Sequence, residues 1–432
     1  MGEQEKGGDE SARDALAGRR PKRMPGTKSA SLIAVLITLS TLTGYLTRVN
    51  ISVALPFISD AYGWTSHERG LYGGLLLGMF LVGYGLSNIF IAPLIDRYGP
   101  RRVMMAIMLI WSIITFFTGI IGLIFWLFIT FRVLLGLSEG PLFPSDSKIT
   151  QAWFDLRGRT KVNSFYFSAL YLSNLLASAA LVPLILVTSW QWAFYAVGIA
   201  GLIMLIPLYL FIQDTPKGSV KRAPGKSTIG EVMRSSVSEV RRTLKLKGIF
   251  VLAASNISTN LAWWGISLWL PTYLLVAKGF DTSQLVYAAS LPYVGGVAGL
   301  YIGAWISHRT QKIVGTASVF SVLCAVFILL MIVTSSQSAI IFVMAGIFFF
   351  ISLLQPNLFT LLQGACPTDL IGSATGFLNG IGVGLGVLGP IMIGVTVAAT
   401  GSFEVGLLIL AVLQILAGLE LLLFRENASS AA

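Results

Sequence analysis

The chain is 432 residues long, 55% hydrophobic and only 11% charged, where an ordinary soluble protein is about 25% charged. Its mean hydropathy is +0.79. No soluble core of this size hides so much apolar surface, which excludes a cytosolic enzyme and leaves a polytopic helical membrane protein. The formal charge of +11 reads first as membrane topology rather than as nucleic-acid binding. Two cysteines, Cys324 and Cys366, are too few for a disulfide framework or a metal cluster.

Twelve segments are long enough to cross a bilayer, for which a helix needs about 20 apolar residues. In chain order they fall at 30–57, 70–95, 103–121, 124–153, 162–187 and 192–213, then at 248–277, 285–306, 316–334, 338–363, 371–398 and 405–424. The prediction is an all-α membrane protein with twelve transmembrane helices in two six-helix bundles. Its parts are a basic tail 1–29, a first bundle 30–213, a linker 214–247, a second bundle 248–424 and a tail 425–432. Residues 103–153 are almost continuously apolar, so the division there into two spans is the least marked.

The basic residues test this layout. Of 30 Lys and Arg, 25 fall in the N-terminal tail, the 2–3, 4–5 and 8–9 loops, the linker and the C-terminal tail. Three sit within spans, and only Arg69 and Lys278 lie on the opposite side. That bias predicts an even number of spans, with both termini in the cytoplasm of a cell that carries the protein in its plasma or inner membrane. The N-terminal tail is too polar for a secretory signal peptide and reads as a basic, topology-setting tail. The linker carries Pro216, Gly218, Pro224 and Gly225, then an amphipathic stretch at 229–247 suited to touching anionic headgroups.

The halves echo one another. Ala92 to Arg97, after the second span, aligns with Gly303 to His308, after the eighth, at an offset of 211. Thr188 aligns with Thr400 at 212. Two unrelated pairs at nearly one offset suggest parallel repeats, as in a transporter of two six-helix halves.

An ionisable residue in a span costs about 2.5–3.5 kcal/mol on insertion scales and usually faces a cavity or a partner. The first half has five: Arg48, Arg132, Glu139, Asp146 and Lys148; the second has essentially Glu420 alone. Arg48 lies roughly 27 Å from the start of the first span and Arg132 roughly 32 Å from the inner end of the fourth, similar depths at 1.5 Å per residue. Glu139 lies roughly 21 Å from that end, near the midplane, and seven residues from Arg132, on the same helix face. Two guanidiniums at one depth favour an anion, and a carboxylate suits their fork geometry. Glu139 beside them is suited to carry a proton: an anion occupying the arginines weakens their hold on it. The competing expectation is an Arg132–Glu139 ion pair that only joins helices. Asp146 and Lys148, beside Pro141 and Pro144, read as a structural or gating network. In the second half the polar candidates are neutral: Asn256, Asn260, Gln355, Asn357, Gln363 and Asn379, with Trp263 and Trp264 in the seventh span. Such groups suit a hydroxyl-bearing end of an anion or hydrogen bonds between helices.

The stretch Pro93-Leu-Ile-Asp96-Arg97-Tyr-Gly99-Pro100-Arg101-Arg102 resembles the loop signature of the major facilitator superfamily, departing from it at Ala92 and Pro100. Tyr45-Leu-Thr-Arg48-Val-Asn50 is similar to helix 1 of its anion:cation symporter family, close to the sialic-acid, vesicular glutamate and phosphate branch. Arg132-Val-Leu-Leu-Gly136-Leu-Ser-Glu139-Gly-Pro-Leu-Phe-Pro144, followed by Ala152-Trp153-Phe154, is similar to helix 4 of the same family, including its galactonate and hexuronate permeases. The resemblance implies a monomeric membrane symporter of small organic anions working by alternating access, with no cofactor and with a proton, or else sodium, as coupling ion. Arg48 and Arg132 would bind the substrate carboxylate, with Tyr45, Tyr84, Trp264 and Asn379 around it, and Glu139 would carry the proton. Asp96, Arg97 and Arg101 would latch helix ends, with Asp146 and Lys148 in gating. Thr47, Leu135 and Leu170 depart from acidic or amide residues found in members of the family. The alternatives are an efflux antiporter for drugs or aromatic compounds, against which stands the absence of a Gly-Pro-Gly run in the fifth span, and an uncoupled facilitator. Nothing in the sequence supports an enzyme.

Overall fold

The computed structural model describes residues 27–423 apart from 91–94, 96–97, 123, 155, 216–237, 239, 311 and 368–369. Twelve helices in it are long and apolar enough to cross a membrane. They are α1 (Ser29–Ala61), α2 (Ser66–Asn88), α3 (Pro100–Ile121), α4 (Phe125–Trp153), α5 (Phe165–Val187), α6 (Gln191–Phe211), α7 (Ile249–Val276), α8 (Leu285–Gly303), α9 (Ile313–Val333), α10 (Gln337–Leu362), α11 (Ala374–Thr400) and α12 (Glu404–Leu421). All twelve coincide with the expected spans, and the apolar run 103–153 divides at Gly122, which caps α3 through its N–H on Thr118 O. The expected amphipathic stretch lies largely outside the described residues, as do both tails, Asp96 and Arg97; 240–243 is helical.

The basic loops define one end of the molecule, called here the basic end; the other is the far end. Both cations placed at the far end have local partners. Arg69 lies 3.2 Å from Asp60. Lys278 donates to the carbonyls of Thr334 (2.6 Å) and Ile332 (3.3 Å) at the C-terminus of α9, where the helix dipole favours a cation. Burial pulls the Lys278 ammonium below the ordinary lysine value, against the opposing pull of Glu404.

Within the first bundle α2 packs on α4, α3 on α6 and α1 on α5; within the second, α10 packs on α8 and α9, and α12 on α9 and α7. Small residues set the closest approaches, since apolar lipid offers helices no hydrophobic drive to associate. Gly83 sits against the Val133 carbonyl and Gly136 against that of Phe80, so α2 and α4 touch backbone to backbone beside the buried charges. Helix α4 is interrupted just beyond Glu139: one segment ends there, and the next starts at Leu142 after Gly140 and Pro141. Helix α5 contains a π-helical turn at Ala177–Leu181.

The halves meet along α2–α11, α1–α7 and α5–α8. A Cβ added at Gly70 would lie 2.6 Å from the Ala398 nitrogen, at Gly74 3.1 Å from the Pro390 oxygen, and at Gly85 3.0 Å from the Gly384 Cα. Further toward the basic end, at Gly380 and Gly376 on the same stripe of α11, it would meet nothing within 4 Å. The two helices therefore touch from Gly70 to Gly85, over most of α2, and the close contact ends at the basic-end turns of α11, Gly380 and Gly376. His67 Nδ1, 3.0 Å from Ala398 O, and Ser290 Oγ, donating to Leu175 O at 3.1 Å, add polar contacts across the far side. Trp263 stacks edge-on to Tyr171 at 5.2 Å between ring centres.

Gly394→Leu would put a side chain against the Gly70 carbonyl and prevent this closure. Spin labels at the exposed positions 66 and 399 should then lie farther apart than in the unsubstituted protein; an unchanged distance contradicts the seam.

Candidate functional site

Helices α1, α2 and α4 bring five of the expected residues together. Arg48 of α1 forms an ion pair with Glu139 of α4, Nε to Oε2 at 2.6 Å, with the side chains 1% and 0% exposed. The hydroxyl of Thr47 contacts the other carboxylate oxygen, Oε1, and the Gly44 carbonyl at 2.5 Å. The Arg48 guanidinium lies between two tyrosine rings, 4.2 Å from Tyr45 and 4.4 Å from Tyr84, with Phe80 at 5.3 Å. A desolvated cation over aromatic faces gains about 2 kcal/mol or more. One donor stays unused: Arg48 Nη2 is buried without a hydrogen-bond partner.

Arg132 is placed differently from the expectation. Its Nε donates to Leu76 O (3.2 Å), Nη1 to Thr47 O (3.4 Å) and Nη2 to Arg48 O (3.2 Å). It shares the Phe80 ring with Arg48, at 5.4 Å, but its donors are turned to backbone carbonyls of α1 and α2. In this conformation the two arginines thus have different partners, and the competing expectation of an Arg132–Glu139 ion pair gives way to Arg48–Glu139. The reason is geometric: the Arg132 fork meets main chain on both sides, at Leu76 of α2 and at Thr47 and Arg48 of α1. The Arg48 guanidinium faces rings rather than an open cavity in this conformation, those of Tyr45, Phe80, Tyr84 and Phe143.

The second half contributes less directly. Trp264 is buried with its indole N–H unpartnered. Asn379 is half-buried between Gly376 and Gly380, where α11 leaves α2. Neither makes a hydrogen bond or ring contact with Arg48. Asn256 donates across to Leu378 O of α11 at 2.7 Å, while Asn260 donates within α7 to Asn256 O at 2.8 Å, and both side chains lie against Gly382 of α11. Asn357 donates to Leu353 O of its own helix.

Of the gating candidates, Arg101 ties α3 to the end of α6, through its backbone N–H on Asp214 (2.7 Å) and its Nη2 on Tyr209 O (2.6 Å). Asp146 and Lys148 form no ion pair with each other; Asp146 instead meets Thr41 of α1 at 2.8 Å. Among the residues near the charges, the sequence gives no sign of Phe80; Thr47, marked there only as a departure from the family, meets Glu139, and the buried side-chain amide of Asn50 has no partner at either atom. Thr47 and Asn50 flank Arg48 within one turn, and that proximity was the available signal.

A profile of the Major Facilitator Superfamily matches residues 37–390. The chain belongs to this superfamily. It is 27% identical over 399 residues to a protein of Cupriavidus necator named "Probable sulfoacetate transporter", covering 88% of this chain and 90% of that one. It is 24% identical over 404 residues to the hexuronate transporter of Bacillus subtilis, covering 91% and 94%. It is 26% identical over 411 residues to the quinolone resistance transporter of Acinetobacter baumannii, covering 90% and 92%. The crystal structure of a bacterial homologue of the human lysosomal transporter Spinster, inward-facing and unoccupied, superposes with a TM-score of 0.72 at 16% identity, covering 92% and 97%. The superfamily member described here is a multi-pass membrane transporter.

If Glu139 pairs with Arg48 rather than with Arg132, removing one partner leaves a buried charge alone, at about 3–5 kcal/mol. Arg48→Gln and Glu139→Gln should each lower the unfolding midpoint, and the double variant should regain much of the loss. Arg132→Gln should lower it too, without rescue by Glu139→Gln. Purely additive effects for Arg48 and Glu139 would contradict the pairing.

Proposed function

We propose that this transporter carries a small organic anion, a carboxylate or sulfonate, into the cell together with a proton, and that Arg48 and Glu139 are the coupled pair. The observation that carries this reading is the buried Arg48–Glu139 contact with Arg48 Nη2 left unpartnered. A guanidinium with one donor committed to an internal carboxylate and another free can exchange its anion: the substrate's oxygens take the fork while Glu139 lets go.

The exchange needs somewhere for Glu139 to go, and Thr47 supplies it. A hydroxyl has one proton, yet Thr47 Oγ1 touches two acceptors, Gly44 O and Glu139 Oε1. When Glu139 is ionised, Thr47 donates to it. When Glu139 holds a proton, it donates to Thr47, which donates to Gly44. Both states of the acid are therefore hydrogen-bonded, as a group that changes state inside a membrane requires. The neighbouring guanidinium at 2.6 Å favours a proton over sodium as coupling ion, because a second cation there would meet strong repulsion at low dielectric.

In this reading the basic end is cytoplasmic and the described conformation is closed to the outside, its gap between α2 and α11 opening inward. Arg132 acts as a positioning residue that holds α1 and α2 against α4. Trp264 and Asn379, on the facing half, would meet the part of the substrate remote from its charge once the halves close on it. The relatives named for sulfoacetate and hexuronate support the substrate class. A second reading, export of an aromatic carboxylate drug, is supported by the quinolone-resistance relative and by the tyrosine and phenylalanine rings around Arg48.

The two readings part in one experiment. Purified protein should gain thermal stability with one of sulfoacetate, glucuronate, galactonate or phosphate, and that anion should enter proteoliposomes faster under an inward proton gradient. Arg48→Lys keeps the charge but loses the planar fork and should slow uptake at least tenfold. Stabilisation by quinolones alone, with drug sensitivity in cells lacking the protein, would favour export; uptake by Arg48→Lys equal to wild type would remove the arginine from the site.

Glu139→Gln keeps a hydrogen-bonding amide and loses the titrating proton. Acceleration by the gradient should vanish in that variant; if it persists, the coupling group lies elsewhere.

A further inference from the structure

The Thr–acid arrangement occurs twice between α1 and α4. One tier is Thr47 with Glu139. The other, toward the basic end, is Thr41 with Asp146, six residues back on α1 and seven forward on α4. Because the two helices run antiparallel, both steps lead the same way, and seven residues at 1.5 Å each separate the tiers by roughly 10 Å.

The second tier lacks what the first has. Thr41 Oγ1 lies 2.8 Å from Asp146 Oδ2 and 3.0 Å from Ile37 O. Asp146 is 0% exposed, and its other oxygen, Oδ1, has no hydrogen-bond partner. No cation lies in ion-pair contact with it among the described residues. The segments of α1 and α3 that flank it, 29–47 and 103–121, contain no charged residue. Tyr166 is the titratable neighbour from α5. Lys148, on the same helix, is displaced about 200° around it, and Arg48 and Glu139 lie a tier away.

An ionised carboxylate so placed would keep one hydrogen bond at most, shared with a hydroxyl that also faces a carbonyl, and would carry a desolvated charge with no cation against it among the described residues. A protonated carboxyl satisfies both contacts at once: Asp146 Oδ2–H donates to Thr41, and Thr41 donates to Ile37 O. The path onward is polar. Thr150, four residues further on the same face, is buried with its hydroxyl unpartnered, as is Ser145. Asp146 and Thr150 lie one turn apart on the second segment of α4, beyond the interruption that follows Glu139, and lead to the basic end.

We infer that Asp146 and Thr41 form a second proton-holding site, neutral in this conformation, which exchanges its proton with water at the basic end. In the reaction sequence water admitted between the tiers carries to it the proton that Glu139 releases, and it passes a proton out past Thr150; each transfer breaks one O–H bond and forms another. That transport role rests on the proton-coupled reading of Glu139, whereas the protonation of Asp146 does not.

Infrared spectroscopy of purified, ligand-free protein at neutral pH separates the two. The unsubstituted protein and the Glu139→Gln variant should both show a protonated-carboxyl carbonyl band that Asp146→Asn lacks; Asn has nearly the shape of the protonated acid, so the fold should survive. The band should move in heavy water and move again in Thr41→Val, which removes the partner. Absence of a band difference between wild type and Asp146→Asn, or a band indifferent to heavy water, overturns the site. In proteoliposomes where the wild type takes up glucuronate under a proton gradient, Asp146→Asn should be at least tenfold slower, and equal gradient-driven uptake overturns the relay. Loss of gradient dependence in the wild type, with the infrared band intact, would count against Glu139 coupling alone.

Discussion

An arginine and a glutamate withdrawn from water in the middle of a membrane protein can only be kept together, because either one alone would carry an uncompensated charge in low dielectric. Arg48 and Glu139 are such a couple, and much of the first bundle serves their meeting. Backbone contact between α2 and α4 at Gly83 and Gly136 brings Phe80 and Tyr84 under the guanidinium. Arg132 clamps the carbonyls of Thr47 and Arg48, which fixes the rotation of α1. The interruption of α4 after Glu139 falls between that acid and the polar residues that lead to the basic end.

The asymmetry between the halves then has a physical meaning. The first bundle holds the charges and the rings that screen them; the second offers neutral amides and an indole. A ligand bound between them would be anchored at its anionic end by one half and sensed at its other end by the opposite half. That is the simplest way for occupancy to alter the relative position of two rigid bodies, because only a ligand touching both can favour the state in which they approach.

Much of this was legible in the residues. Spans followed from length and apolarity, and the first, expected at 30–57, runs Ser29–Ala61. Where ends differ, as at Ser66 rather than 70, hydrogen bonding has carried the helix past its apolar stretch into polar residues. The concentration of intramembrane charge in one half pointed to the residues that the fold brings together. Which arginine faces Glu139 was not legible, since spacing along α4 favoured Arg132 and the deciding partners are main-chain carbonyls that no residue type announces. The aromatic clasp on Arg48 was half visible: Tyr45 and Tyr84 were named, while Phe80 looked like one more apolar side chain. For Asn256 the residue type left a ligand and a neighbouring helix both open, and the fold supplies the helix, at Leu378 O of α11.

The seam between α2 and α11 has a mechanical corollary. Where bare main chain slides on bare main chain, as at Gly70 and Gly394, no side chains interlock and none must swap rotamers to come free. Dispersion over a thin strip and the one polar contact of His67 with Ala398 O are what parting surrenders there. A joint of that kind behaves as a smooth bearing, with little friction between its two positions, and leaves the choice between them to whatever cargo lies at its centre.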